Sequence, residues 1–194
     1  MPADDETVGE LVLRTPWLTP RYVGDPRASD AWWRDGRLHT QDLATIAREF
    51  NAVRQLVWDC HTRQDLLDQW FAPKGLTTKT KHMDFRDGGY WHYAMVTPDG
   101  QHYWNRLEYV ETDPIDGYTA MDGFCDETGT VNPDMPRSKL VVTFADASDR
   151  TLVTTIVQYA SPDDLQKAID MGLEGGMAST MERLDELLLV LPAS

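Results

Sequence analysis

The run Ser161-Pro162-Asp163-Asp164 constrains the chain most, because it opens a helix long enough to need a broad apolar surface beneath it. Ser161 supplies an N-cap oxygen, Pro162 suits the first turn, where no N–H is required, and the two aspartates favour the positive end of the helix dipole. Beyond it Leu165, Ile169, Leu173, Met177, Met181, Leu184, Leu188 and Leu191 recur every three or four residues. Gln166, Lys167, Glu174, Glu182, Arg183 and Asp185 fall on the other side. The spacing predicts one amphipathic helix over 161–191. Gly172, Gly175 and Gly176 interrupt it, each costing about 1 kcal/mol relative to alanine in a helix. Two explanations stay open: a kink or close packing against a sheet, or a helix thinned to leave room for a ligand.

The surface for that helix comes from the preceding residues. The stretch 43–50 reads as a strand, and Asn51 can cap a short helix with Val53, Leu56, Val57 and Cys60 on one face. Thr62 and Asp65 have capping-box spacing for a second helix through Leu66, Leu67 and Trp70, closed by the Pro73-Lys74-Gly75 turn. Six more strands are expected at 77–85, 90–96, 102–112, 118–124, 139–144 and 151–159. Asp87-Gly88-Gly89, Pro98-Asp99-Gly100, the turn at 114–117, the loop at 126–136 and the turn at 146–150 separate them. One strand, two short helices, six antiparallel strands and a long helix make an α+β fold: a curved seven-stranded sheet wrapped around the C-terminal helix. A sheet gripping a helix in this way can enclose a gap suited to small apolar ligands.

At 194 residues the chain suits one domain, able to bury roughly two thirds of its unfolded surface. Residues 1–40 carry Pro2, Pro16, Pro20 and Pro26 among Trp17, Tyr22, Trp32 and Trp33, with a short strand at 11–13. They are expected to form an arm that packs on the main domain, 41–194, or on a neighbouring subunit of a homodimer. The formal net charge of −14 excludes nucleic acid and anionic membranes as natural partners, because both would repel the chain. No secretory signal or spanning apolar run is visible, which points to the cytoplasm. Cys60 and Cys125 fit reduced thiols. His39, His61, His82 and His102 lack ligand spacing, so no metal is expected. No phosphate loop or nucleophile elbow suggests a cofactor or covalent catalysis.

Several motifs in order carry a family resemblance. They are Asn51-Ala52-Val53 leading to Val57-Trp58, then Leu66 to Trp70-Phe71-Ala72-Pro73-Lys74-Gly75, and Asp84-Phe85-Arg86-Asp87-Gly88-Gly89. Met95-Val96-Thr97-Pro98-Asp99-Gly100, Tyr109-Val110-Glu111-Thr112-Asp113-Pro114, Phe124-Cys125-Asp126-Glu127, Met171-Gly172 and Arg183-Leu184 follow. Over about 43–190 the chain resembles the SRPBCC, or START-like, superfamily, and within it the homologues of the activator of the heat-shock-protein-90 ATPase, on the bacterial polyketide-cyclase-like branch. The resemblance implies a helix-grip fold around a hydrophobic cavity. It implies less about function, because the superfamily includes lipid carriers, hormone receptors and aromatase-cyclases.

If Asp99-Gly100 is the tip of its hairpin, alternation puts Trp91, Tyr93 and Met95 on one face with Trp104, Arg106 and Glu108. Tyr118, Asp122 and Phe124 join that face from the next strand. Trp58, Trp70, Met171 and Met177 complete the expected ligand-binding set from the helices. Arg106, Glu108 and Asp122 would anchor a ligand, or move protons, if the face is the inner one. The competing reading is a cross-strand salt bridge on a solvated face. In the opposite register His92, Asn105 and Tyr109 would be the polar groups of the interior, with the histidine as a general base.

Three functions follow. The leading one is a binding module for a small apolar or aromatic molecule, without a cofactor. The second is an enzyme of cyclase, dehydratase or hydrolase type in which Arg106 polarises a carbonyl and Glu108 or Asp122 moves a proton. The third is a co-chaperone-like interaction module.

Overall fold

The computed structural model describes residues 42–191, together with the backbone of a two-stranded antiparallel pair, β1 (Trp33–Arg34) and β2 (Arg37–Leu38). The rest of the arm expected at 1–40, with its strand at 11–13, lies outside the described residues.

Seven strands form the main sheet: β3 (Leu43–Phe50), β4 (Thr77–Met83), β5 (Tyr90–Val96), β6 (His102–Asp113), β7 (Gly117–Phe124), β8 (Arg137–Ala147) and β9 (Arg150–Tyr159). All neighbours are antiparallel, in the order β3-β9-β8-β7-β6-β5-β4. Strands β4 to β9 form a meander, so each pairs with its sequence neighbour. β3 alone reaches across the chain to join β9 at the far edge. Between the two edge strands run α1 (Arg54–Thr62) and α2 (Gln64–Trp70).

Helix α1 buries Val57, Trp58, Cys60 and His61, while Val53 is 50% exposed and lies outside the helix as its N-cap. The expected capping box at Thr62 does not form. Thr62 ends α1, its hydroxyl donating to the Trp58 carbonyl at 3.0 Å, and Asp65 instead pairs with Arg63 at 2.8 Å. That hydroxyl finds a nearer acceptor one turn back, the usual competition between short polar side chains and helix caps.

The long C-terminal helix is two helices, α3 (Pro162–Asp170) and α4 (Leu173–Leu188). Ser161 caps α3 as expected, its hydroxyl accepting from the Asp164 amide at 3.2 Å. The break is at Gly172, whose φ of +92° is open to glycine and strained for other residues. A Cβ on Gly176 would meet Pro73 at 3.8 Å, an ordinary van der Waals contact, so packing does not demand glycine there.

Leu165 of α3 meets Ala44, Val157 and Tyr159 in a satellite core, and Met181, Leu184 and Leu187 of α4 enter the main one. Each fully buried side chain of this size contributes about 1.5–3 kcal/mol. Arg183, expected on the wet side, instead donates to the Ala72 and Leu76 carbonyls at 2.7 and 3.0 Å and to Gln69 at 2.7 Å. It satisfies carbonyls that the end of α2 leaves free, and so ties α4 to that end. Lys74 adds pairs to Glu182 at 3.0 Å and Glu186 at 2.9 Å.

Candidate functional site

Register decides which side chains look toward the helices. Trp91 pairs with Leu107, Leu107 with Asp122, Asp122 with Ser138 and Ser138 with Tyr159, so these five form one row across β5 to β9. The next row is Tyr93, Asn105 and Phe124, and on the other side run Tyr109, Ala120, Leu140 and Val157. Trp91, Tyr93, Tyr109, Tyr118 and Ala120 belong to the main core beside α4, which makes this the inner face.

Trp104, Arg106 and Glu108 therefore lie on the outer face, contrary to the sequence expectation. The hairpin loop is not the two-residue Asp99-Gly100 tip: Thr97 donates to Gln101 at 3.0 Å, leaving Pro98, Asp99 and Gly100 as a three-residue loop. One residue of slip turns every side chain of β6 over. A bulge between Tyr109 and Glu111 then resets the phase, so Tyr118, Asp122 and Phe124 do face inward with Trp91, Tyr93 and Met95. Of the alternative trio, Asn105 and Tyr109 are inside and His92 is outside.

On the outer face Arg106 stacks over Tyr90 at 3.9 Å and pairs with Glu108 at 3.0 Å, while Glu108 also pairs with Arg137. Trp104 sits under Lys81, 5.4 Å from its ring, and beside His92 at 4.9 Å. His92 meets the Asp126 carbonyl at 3.2 Å, and burial lowers its pKa. Met171 is 55% exposed at the break between α3 and α4, away from the site. Trp70 is committed to packing, its indole donating to the Cys60 carbonyl at 2.8 Å.

The inner face is strongly aromatic. Trp91 and Tyr93 stack with centroids 3.9 Å apart, and Phe71 meets both edge-on at 4.8 and 5.6 Å. Trp58 of α1 contacts Phe85, Tyr118 and Phe144 at 5.5, 6.5 and 5.4 Å. Beside this packed wall, Met95, Asp122, Phe124, Leu140 and Met177 are only half-buried.

Asp122 is the chemical singularity. Its Oδ1 is sealed from water with no hydrogen-bond partner among the described residues. Burial pushes its pKa up to about 6, against smaller pulls from the Gly123 amide and Arg137. Burial and the Asp122 charge together raise the phenols of Tyr93 and Tyr118, and push Tyr159 up to about 12. Ser138 stands opposite both Asp122 and Tyr159 in the register. Ser138 and Tyr159 were not among the expected site residues, and Tyr109 was expected inside only in the opposite register. For Tyr159 a signal existed: Thr151, Val153, Thr155, Val157 and Tyr159 alternate along β9 and place it inside.

A buried carboxyl with a free oxygen, phenols around it and half-buried apolar groups beside it can hold a donor group of an otherwise apolar molecule. Among the described residues no group of three His, Cys, Asp or Glu is placed to hold a metal ion. No described helix is long and apolar enough to cross a membrane.

Residues 51–189 match the family described as activator of Hsp90 ATPase homolog 1-like protein. Among solved structures, the chain is similar to the protein Ms6760 from Mycobacterium smegmatis, with 31% identity over 78% of this chain and 93% of that one, and a TM-score of 0.72. A protein from Arthrobacter aurescens is 28% identical over 78% of this chain and 88% of its own, with a TM-score of 0.73. One from Staphylococcus epidermidis is 28% identical over 76% and 90%, with a TM-score of 0.69. No protein of curated function matches the chain.

Proposed function

The chain belongs to the activator of Hsp90 ATPase homolog 1-like family, and from that premise we propose that it binds a small, largely apolar or aromatic molecule between α4 and strands β5 to β8. The observation that carries the reading is Asp122, whose Oδ1 is buried and lacks a partner among the described residues, while Met95, Phe124 and Leu140 on the same sheet face and Met177 of α4 are incompletely covered. An unpaired buried carboxyl oxygen costs stability unless something supplies a donor. Trp58, Trp91, Tyr93 and Tyr118 supply aromatic surface nearby. Residues 1–40 stand outside this binding unit in the proposal, since the side chains it uses all lie between Trp58 and Met177; size-exclusion chromatography of a chain lacking them tests whether they link a homodimer.

Native mass spectrometry of protein purified from its host tests the reading by the appearance of a co-purifying molecule. Amide NMR titration with aromatic and lipid-like compounds locates it. Shifts are expected at Met95, Ala120, Phe124, Leu140 and Met177; shifts confined to Trp104, Arg106 and Glu108 would reject the inner-face site.

A second reading, an enzyme of cyclase, dehydratase or hydrolase type, is favoured by one observation: a carboxyl held near pKa 6 exchanges protons readily at neutral pH. Asp122 would be its acid-base group, and Arg106 and Glu108 have no part in it. Turnover that survives Asp122→Asn rejects that role.

A further inference from the structure

Building on the binding reading above, we propose that the ligand is an amine, bound as its ammonium ion with the charge at Asp122 and its apolar body toward Met95, Phe124 and Met177. An ionised carboxylate only accepts hydrogen bonds, so the free Oδ1 selects a donor. The rows around it, Trp91–Leu107–Ser138–Tyr159 and Tyr93–Asn105–Phe124, bring no lysine or arginine. Arg137, on the neighbouring strand, is drawn to the outer face by its pair with Glu108. Arg48, an inner-face cation of β3, is held at the sheet edge by Asp185, so among the described residues the rows around Asp122 bring it no cation.

Its surroundings suit a positive guest. Tyr93, Tyr118 and Tyr159 stand close enough to Asp122 to feel its charge, and aromatic faces attract organic cations. An anionic ligand, such as a fatty acid, would meet a like charge there, in a protein whose formal net charge is −14. A neutral alcohol would gain the weaker, uncharged hydrogen bond.

Affinity for an ammonium ion must fall when Asp122 is protonated. The other groups that face it are Tyr93 from β5, Tyr118 from β7 and Tyr159 from β9, all raised and therefore uncharged at neutral pH. Asp122 is then the group that titrates at the site in the acid range, and binding weakens about tenfold for each pH unit below its own value.

The test compares four head groups on the full chain by NMR titration and calorimetry: 2-phenylethylamine and octylamine, 2-phenylethanol and octanol, 3-phenylpropionate and octanoate, and ethylbenzene. At pH 7.5 the amines are expected to bind about tenfold or more tightly than the alcohols, and the acids least. The amine preference should fade by pH 5 in the wild-type protein and vanish in Asp122→Asn. The pH arm keeps the test decisive if that variant folds poorly. Equal binding of amine, alcohol and ethylbenzene, tighter binding of the acids, or a preference that survives Asp122→Asn would overturn the amine inference while leaving the binding site in place. Failure of all four head groups to shift inner-face resonances would remove the site itself.

Discussion

The Arg48 guanidinium on edge strand β3 is paired with the Asp185 carboxylate on α4, fastening the margin of the sheet to the helix that crosses it. The two side chains are 36% and 35% exposed, so water screens much of their attraction. Arg48→Ala is expected to lower stability by about 1 kcal/mol or less. A double-mutant cycle with Asp185→Ala, read by urea unfolding, checks that the coupling stays within that bound.

The two glycines on either side of the start of α4 should respond oppositely to alanine. Gly172, with φ at +92°, would be strained by a Cβ, and Gly172→Ala is expected to cost about 1–2 kcal/mol. Gly175 is exposed and helical, with nothing within 4 Å of an added Cβ. Gly175→Ala is expected to add about 0.5–1 kcal/mol through the lower entropy of the unfolded chain. Thermal unfolding of the pair separates the hinge from the incidental glycine.

Asp122 makes folding prefer acid. Its pKa rises from 3.8 in the unfolded chain to about 6 in the fold, so between those values the folded state holds the extra proton. Its contribution is most favourable below pH 3.8 and is lost as pH rises through about 6. Asp122→Asn should therefore be more stable than wild type at pH 8, by about 3 kcal/mol at most, and the difference should shrink toward pH 4. Urea midpoints of both proteins across that range give the comparison.

His61 acts in the opposite sense. Burial between Trp70 and Phe144, at 4.8 and 4.9 Å, lowers its pKa from 6.5 to about 4, so the folded protein holds it neutral. Its contribution is fully present above pH 6.5 and is lost as pH falls toward 4, by about 3 kcal/mol at most. His61→Phe is expected to flatten that acid loss in the same urea series, provided the ring keeps its place between the two aromatics.

The strands were legible because glycine, proline and aspartate mark their ends, and short connections make β4 to β9 antiparallel neighbours, whereas nothing local places β3 beside β9. Parity was harder to see. Pro98-Asp99-Gly100 supports either a two- or a three-residue loop, and the choice sends Trp104 and Arg106 to opposite sides of the sheet. Tyr118 and Asp122 came out on the correct face because the bulge near Val110, which nothing in the local residues announces, restores the phase. The helix break was visible as three glycines, but which one turns left-handed depends on backbone geometry that composition does not encode. Asp122 could be named as an interior acid, whereas the missing partner of its Oδ1 is a property of packing alone.

Pairing of β3 with β9 has a consequence for synthesis. Phe50 meets Thr151, roughly a hundred residues later in the chain, so a ribosome must deliver nearly the whole domain before this edge can close. Until then the 43–50 segment leaves the tunnel with its apolar side chains unmatched. The nascent protein is most exposed to misassociation in that interval, and the last ladder to zip up is the one that shuts the molecule.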